Sequence, residues 1–168
     1  MPEMIDIYNE ERELTGQQLP RKTKLGKGQF MLYVLALLQN QEGKFLITRR
    51  ALDKKWAAGA WEIPGGGASA GETSRDALNR EILEETGLDV SGADAEVIYS
   101  YRNEDLKSGD NYFADIYLCR LNFSEKDAVL QKEEAIDMKL ASFEEITELQ
   151  EKDGFLHYER ICQALQKK

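Results

Sequence analysis

The sequence predicts a mixed α/β layer fold, and three observations carry that reading. Strand-like runs lie on both sides of a single helix with well-defined ends, a second helical stretch closes the chain, and 42% of the 168 residues are apolar. That is enough for one domain with a real core. In chain order, "MIDIY" and "ELTGQQL" flank the polar "NEER", so Met4 to Leu19 are expected to form an N-terminal hairpin. "LPRKTKLGKGQ" is a basic connector. "FMLYVLALLQ" is apolar on both alternating faces, as a central strand should be, and "NQEG" turns it into the strand "KFLITRR".

"ALDKKWAAGAWEIPGGG" reads as a loop with one short extended piece, ending in Pro64 and three glycines. A helix is expected from about Thr73 to Thr86. Thr73 and Asp76 are placed as a capping pair, and Gly87 sits at the position after the helix end. "AEVIYSYRNE" and "NYFADIYLCRLNF" are two more strands, antiparallel across "DLKSGD". "SFEEITELQ" opens with Ser142 and Glu145 as a capping box, and a last helix from about Phe155 to Gln166 would bury Phe155, Tyr158, Ile161, Cys162 and Leu165. The expected organisation is a single domain, 1–168, with 1–27 as hairpin and connector and 28–168 as the core.

Charge narrows the function. Lys and Arg total 22 against 31 Asp and Glu, a formal net charge of −9. A general nucleic-acid binder would need a basic face instead. A phosphorylated small molecule stays open, because bound cations can supply positive charge locally. The longest apolar run, "FMLYVLALL", is too short to span a bilayer, and "MPEMIDIYNEER" has no signal-peptide core. The expectation is a cytoplasmic protein without a membrane partner. Cys119 and Cys162 have no metal-like spacing and read as buried free thiols of a reducing compartment.

The most informative stretch is the helix itself. With 100° per residue and Glu81 at zero, Glu85 falls at about 40° and Glu84 at about 300°, while Leu78 and Ile82 follow at about 60° and 100°. Three carboxylates therefore crowd the edge of the buried face, where like charges at i,i+4 cost roughly 0.2–0.5 kcal/mol. A solvated acidic face is the plain alternative. Convergence beside a core makes chemical sense if a hard divalent cation binds there, and Mg²⁺ prefers oxygen ligands shared with substrate phosphates.

From Gly66 the chain runs five residues to Glu72, seven more to Arg80-Glu81-Ile82, then Leu83, Glu84, Glu85, Thr86, Gly87 and Leu88. This G-x5-E-x7-R-E-U-x-E-E-x-G-U pattern, U being bulky and apolar, resembles the Nudix box at every specified position. "WEIPGGG" upstream and "EEAIDMKLASFEEI" downstream extend the likeness over about Phe30 to Leu165.

The resemblance implies a Nudix-type α/β/α sandwich with a mixed β-sheet, carrying here an additional N-terminal β-hairpin. It implies a hydrolase that cuts a pyrophosphate in a nucleoside diphosphate linked to another group, with Mg²⁺ or Mn²⁺ as cofactor. By position, Glu84 and Glu85 match the metal-binding pair. Glu81 is a third carboxylate, taken in parts of the family as the base that activates water. Gly65 matches a carbonyl ligand, and Glu134 a metal-ligating glutamate outside the box, with Glu133 as competitor. Arg80 and Glu72 match residues that orient the carboxylates.

Several further residues carry two readings. Arg49, Arg50, Lys54 and Lys55 could grip phosphates or belong to a solvated strand end. Trp56 and Trp61 could stack a base, although Trp61 between Ala60 and Glu62 suits sheet packing. His157 reads as a surface or satisfied residue, and Tyr99, Tyr101, Tyr112 and Tyr117 as packing.

The substrate stays open among ADP-sugars, (d)NTPs and other nucleoside diphosphate conjugates. The likeness to coenzyme A pyrophosphatases is partial, with Lys55 where that motif prefers Arg and Ile63 where it prefers Phe. No proline follows Pro64, as one does in ADP-ribose pyrophosphatases. Two rival readings are a non-catalytic ligand sensor of the same fold and an enzyme like isopentenyl diphosphate isomerase. The complete box disfavours the first. The second needs a cysteine in the core and a histidine-rich metal site, which one His and two late cysteines do not supply. The hairpin edge would offer a contact for a homodimer.

Overall fold

The computed structural model describes residues 3–54, 56–130 and 135–166. Its centre is β3 (Met31–Gln39), which pairs in parallel with β8 (Tyr112–Arg120) on one side. On the other side it pairs antiparallel with β4 (Phe45–Arg50) and with the glycine strand β6 (Gly65–Gly67). β7 (Asp94–Asn103) extends the sheet beyond β8, while β5 (Trp61–Glu62) and β9 (Ala135–Ala141) both pair with β4. The result is a seven-stranded mixed sheet in the order β5-β4-β3-β8-β7, with β6 and β9 joined off that path.

The two apolar faces of β3 are both used, which is why its sequence is an almost unbroken apolar run. Leu32, Val34, Ala36 and Leu38 pack with Ala77, Leu78 and Ile82 of α1 (Ser74–Thr86). Leu35 and Leu37 pack on the opposite side with Ile146 of α2 (Phe143–Asp153) and Ile161 and Ala164 of α3 (Tyr158–Gln166). Each fully buried Leu or Ile contributes about 1.5–3 kcal/mol. Helices cover both faces, so the chain is an α/β/α sandwich.

Both expected capping boxes form. Thr73 caps α1 with Asp76 as its reciprocal partner, Gly87 closes it in the left-handed region at φ 76°, and Ser142 and Glu145 open α2. α3 begins at Tyr158 rather than Phe155, because a turn with His157 at φ 60° separates the two. Phe155 is still buried, bridging to Trp61, whereas Cys162 is only partly buried and Ala164 lies in the core.

The N-terminal hairpin, β1 (Met4–Tyr8) and β2 (Leu14–Pro20), is antiparallel. Ile5 and Ile7 form a small core with Leu25, and Tyr8 bridges to Phe30 at the start of β3. The turn of the hairpin is pinned by charge. Arg12 donates Nη1 to Asp115 Oδ1 at 2.8 Å and Nη2 to Oδ2 at 2.6 Å. Asp115 is 2% exposed and also accepts from Ser74 Oγ at 2.6 Å and Ser100 Oγ at 2.7 Å. Burial alone would raise this carboxyl, but the bonds from Arg12, Ser74 and Ser100 outweigh it and hold it below its usual value. One carboxylate thus ties the hairpin to β7, β8 and the start of α1. No helix among the described residues is long and apolar enough to cross a membrane.

Candidate active site

α1 presents Glu81, Glu84 and Glu85 to a cleft of about 850 Å³, whose other wall includes the glycines Gly65, Gly66 and Gly67 of β6. The glycines are required by close approach. A Cβ on Gly66 would lie 2.4 Å from Glu81 Cδ, and one on Gly65 would lie 2.1 Å from Val34 O in the neighbouring strand. Gly65 also donates its N–H to Glu85 Oε1 at 2.8 Å. The helix and glycine strand are therefore fitted to each other through the box carboxylates.

Arg80 is the organiser of this end of the cleft. It donates Nε to Glu72 Oε2 at 2.7 Å and Nη2 to Glu72 Oε1 at 2.9 Å. Its Nη1 reaches Glu81 Oε1 at 3.0 Å and Glu84 Oε1 at 3.1 Å, while Nη2 also reaches the Gly67 carbonyl at 3.0 Å. Arg21, from the connector after β2, donates to the same carbonyl at 3.1 Å and to Glu3. Two guanidinium groups thus hold one turn of backbone. The bond from Arg80 keeps Glu72 below the usual carboxylate range, and Glu72 in turn raises Arg80. Glu81 goes the other way: burial pushes its carboxyl up, and Arg80 only partly offsets this.

The expected residues divide clearly. Glu81, Glu84, Glu85, Arg80, Gly65 and Arg50 all line the cleft. Glu72 stands behind Arg80. Trp61 is corrected to a core residue: it is 6% exposed, packs among Ile47, Ile63 and Phe155, and carries Lys139 over its ring at 5.3 Å. Its place on β5, where it pairs with Arg49, turns it into the sheet. Arg49 is likewise absent from the cleft wall and donates Nε to the Gly59 carbonyl at 2.8 Å. Lys55, Glu133 and Glu134 lie outside the described residues.

The cleft also contains residues the sequence reading passed over: Glu3, Arg21, Lys22, Tyr33, Thr48 and Glu62. The basic "PRK" of the connector was the available signal for Arg21 and Lys22. With Arg50, Lys54 and Arg80, five cationic side chains among the described residues share the cleft with the acidic helix.

The donor set suits a hard cation, because the carboxylates offer oxygen and Glu81 sits where burial penalises an unneutralised charge. Among the described residues no three Asp, Glu, His or Cys side chains form a closed cage.

Residues 29–163 match the NUDIX domain family. The chain belongs to the Nudix family. An uncharacterized Nudix hydrolase of Listeria monocytogenes is 33% identical over 156 residues, covering 91% of this chain and 88% of that protein. Among solved structures, the Nudix fold recurs in the Deinococcus radiodurans protein DR0079 with a TM-score of 0.72 and 20% identity, over 90% of this chain and 91% of that one. It recurs also in the Nudix domain of Shewanella oneidensis NrtR, complexed with ADP ribose, with a TM-score of 0.65 and 15% identity, over 82% and 87% of the two chains. The chain is a Nudix hydrolase by this membership, with the box helix and glycine strand at its cleft.

Proposed function

We propose that this Nudix hydrolase cleaves the pyrophosphate bond of a nucleoside diphosphate linked to a second moiety, with Mg²⁺ or Mn²⁺ bound at the box carboxylates. The observation that carries the reading is the meeting of three box glutamates with Arg21, Lys22, Arg50, Lys54 and Arg80 in one cleft. A diphosphate brings negative charge that the basic wall can bind, and a cation can bridge it to the acidic helix.

Glu84, Glu85 and Glu81, with the Gly65 carbonyl and Glu134, are the proposed ligands. When bound, the ion would neutralise the diphosphate and lower the pKa of a coordinated water. The remaining work falls to the protein. Arg50, Lys54 and Lys55 orient the phosphates, and Arg80 with Glu72 fixes the directions of the carboxylates. Glu81 and Glu85 are the carboxylates available to accept the proton of the attacking water. No nucleophilic side chain is required.

The test is product release from nucleotide sugars, (d)NTPs, dinucleoside polyphosphates and coenzyme A, with Mg²⁺ or with EDTA. Turnover of one class, dependent on metal, supports the proposal. Thermal stabilisation by a nucleotide without any turnover would replace it with a sensor role.

A further inference from the structure

The N-terminal hairpin lies outside residues 29–163, the part of the chain that matches the family. It nevertheless grips the segment that joins the glycine strand β6 to α1. The Ala70 N–H donates to the Met4 carbonyl at 2.9 Å, and the Gly71 N–H donates to Asp6 Oδ2 at 2.8 Å. Ser69 donates its hydroxyl to Glu3. Arg21, the residue after β2, completes the grip. It forks onto Glu3 through Nε at 2.8 Å and Nη2 at 3.0 Å, and its Nη2 also reaches the Gly67 carbonyl at 3.1 Å.

The glycine at 67 has a separate cause from its neighbours. The G-x5-E-x7-R-E-U-x-E-E-x-G-U pattern fixes Gly66, which lies against Glu81, but it leaves position 67 free. A Cβ on Gly67 would lie 2.3 Å from Arg21 Nη1 and 2.6 Å from Met31 Cε. The space that a side chain would take at 67 is filled by the Arg21 guanidinium. Arg80 donates Nη2 to the same carbonyl at 3.0 Å, so one oxygen accepts from two arginines. Glu3 pairs with the first and Glu72 with the second, which offsets their mutual repulsion. Through Nη1, Arg80 also holds Glu81 at 3.0 Å and Glu84 at 3.1 Å.

We propose that Arg21 is a positioning residue: from the hairpin it fixes the Gly67 carbonyl, and with it the Arg80 guanidinium that aims Glu81 and Glu84. The proposal rests on the pyrophosphohydrolase reading, in which those carboxylates face the metal. Two other roles make different demands. A plain structural tie costs stability alone. A direct grip on substrate phosphate costs KM and is met by any cation. Nε and Nη2 of Arg21 are already committed to Glu3 and Gly67, which argues against the grip. Misplaced carboxylates instead cost kcat and metal affinity, since a shift of about 1 Å loses up to about 100-fold in rate. Lost partners of metal ligands cost about 10–100-fold in metal affinity.

The experiment compares the full chain with Arg21→Met, Arg21→Lys, Gly67→Ala and the double variant Gly67→Ala/Arg21→Met. Circular dichroism and Tm report folding. Turnover of the substrate found in the panel gives kcat and KM, and electron paramagnetic resonance follows Mn²⁺ binding without substrate. Arg21→Met should lower kcat about tenfold and raise the Mn²⁺ Kd about tenfold, with KM within about twofold of wild type. Arg21→Lys keeps the charge but not the planar fork, and should stay at least about fivefold down in kcat. The nearest atoms to a methyl at 67 are the flexible ends of Arg21 and Met31, so Gly67→Ala displaces the guanidinium without removing it. It should match Arg21→Met, and the double variant should be no worse than either single one.

Losses that add in the double variant, a change confined to KM, or full kcat in Arg21→Lys would each overturn the role. So would a lowered Tm with kcat and Mn²⁺ affinity intact. The two readings fail separately. Mn²⁺ binding weakened by Arg21→Met in a protein that turns over no substrate removes hydrolysis and leaves the positioning. Metal-dependent turnover with unaltered kcat and Mn²⁺ affinity in Arg21→Met does the reverse.

Discussion

Replacing Arg12 by Met would test how the hairpin is held to the sandwich. The substitution keeps most of the side-chain length and removes both bonds to Asp115, at 2.8 and 2.6 Å. Deleting one partner of a buried ion pair costs about 3–5 kcal/mol. Here 35% of the Arg12 side chain is exposed while Asp115 has 4%, so water offsets part of the loss and we take about 2–3 kcal/mol. For a chain of this size that is a fall in Tm of about 4–12 °C.

The pH dependence gives a second, independent readout. In the wild type Asp115 is held below its usual value, so its contribution is present above about pH 4 and is lost as pH falls through the folded value. In Arg12→Met burial dominates and the carboxyl rises. The deficit is then largest at neutral pH and shrinks as the solution is acidified and Asp115 takes up a proton. Urea unfolding of both proteins between pH 4 and 8 measures this directly. A deficit under 0.5 kcal/mol, or one equally large at every pH, would refute the reasoning.

Three further outcomes are expected. Gly66→Ala places a methyl 2.4 Å from Glu81 Cδ, so the Glu81 carboxylate must swing off its seat beside the glycine strand and kcat should fall at least about 100-fold; an active variant would show that Glu81 need not stay seated there. Arg80→Met removes the bonds to Glu72, Glu81, Glu84 and Gly67 O, and should weaken Mg²⁺ activation by about 10–100-fold, read as a shifted metal titration of turnover. Burial pushes the Cys119 thiol up to about 12, so it stays protonated and should resist a disulfide reagent in the native protein at pH 8, as mass spectrometry of the labelled peptide would show.

The elements most legible in the sequence were those whose information is local. The capping pairs Thr73/Asp76 and Ser142/Glu145, the closing Gly87 and the two-faced apolar run of β3 each specify a short-range geometry, and all formed as read. What sequence could not display was pairing over distance. β9 escaped because its residues do not alternate between buried and exposed, and its partner β4 lies some ninety positions earlier. The glycine strand read as a loop because glycine carries no strand signal, although β6 pairs with β3 through all three of its residues.

The site followed the same division. Glu81, Glu84 and Glu85 were visible from helix periodicity, but Arg21 enters the cleft only because the hairpin folds back on β3. Tyr112 and His157 read as packing or surface residues, and with Tyr33, which also lines the cleft, they border a neighbouring hollow. Trp61 shows the converse, a residue typical of binding sites that sheet pairing directs into the core.

The central claim is that Glu85 and its neighbours hold the catalytic metal on a pyrophosphate. Its most direct test is a Mg²⁺ titration of product release on wild type and Glu85→Gln, with the substrate found in the panel above. The carboxamide keeps an oxygen for the Gly65 N–H, which Glu85 now accepts at 2.8 Å, and removes the charge. We predict that EDTA abolishes wild-type turnover and that Glu85→Gln loses at least about 100-fold in kcat while remaining folded. Wild-type turnover that persists in EDTA, or full activity in a folded Glu85→Gln, would contradict the account.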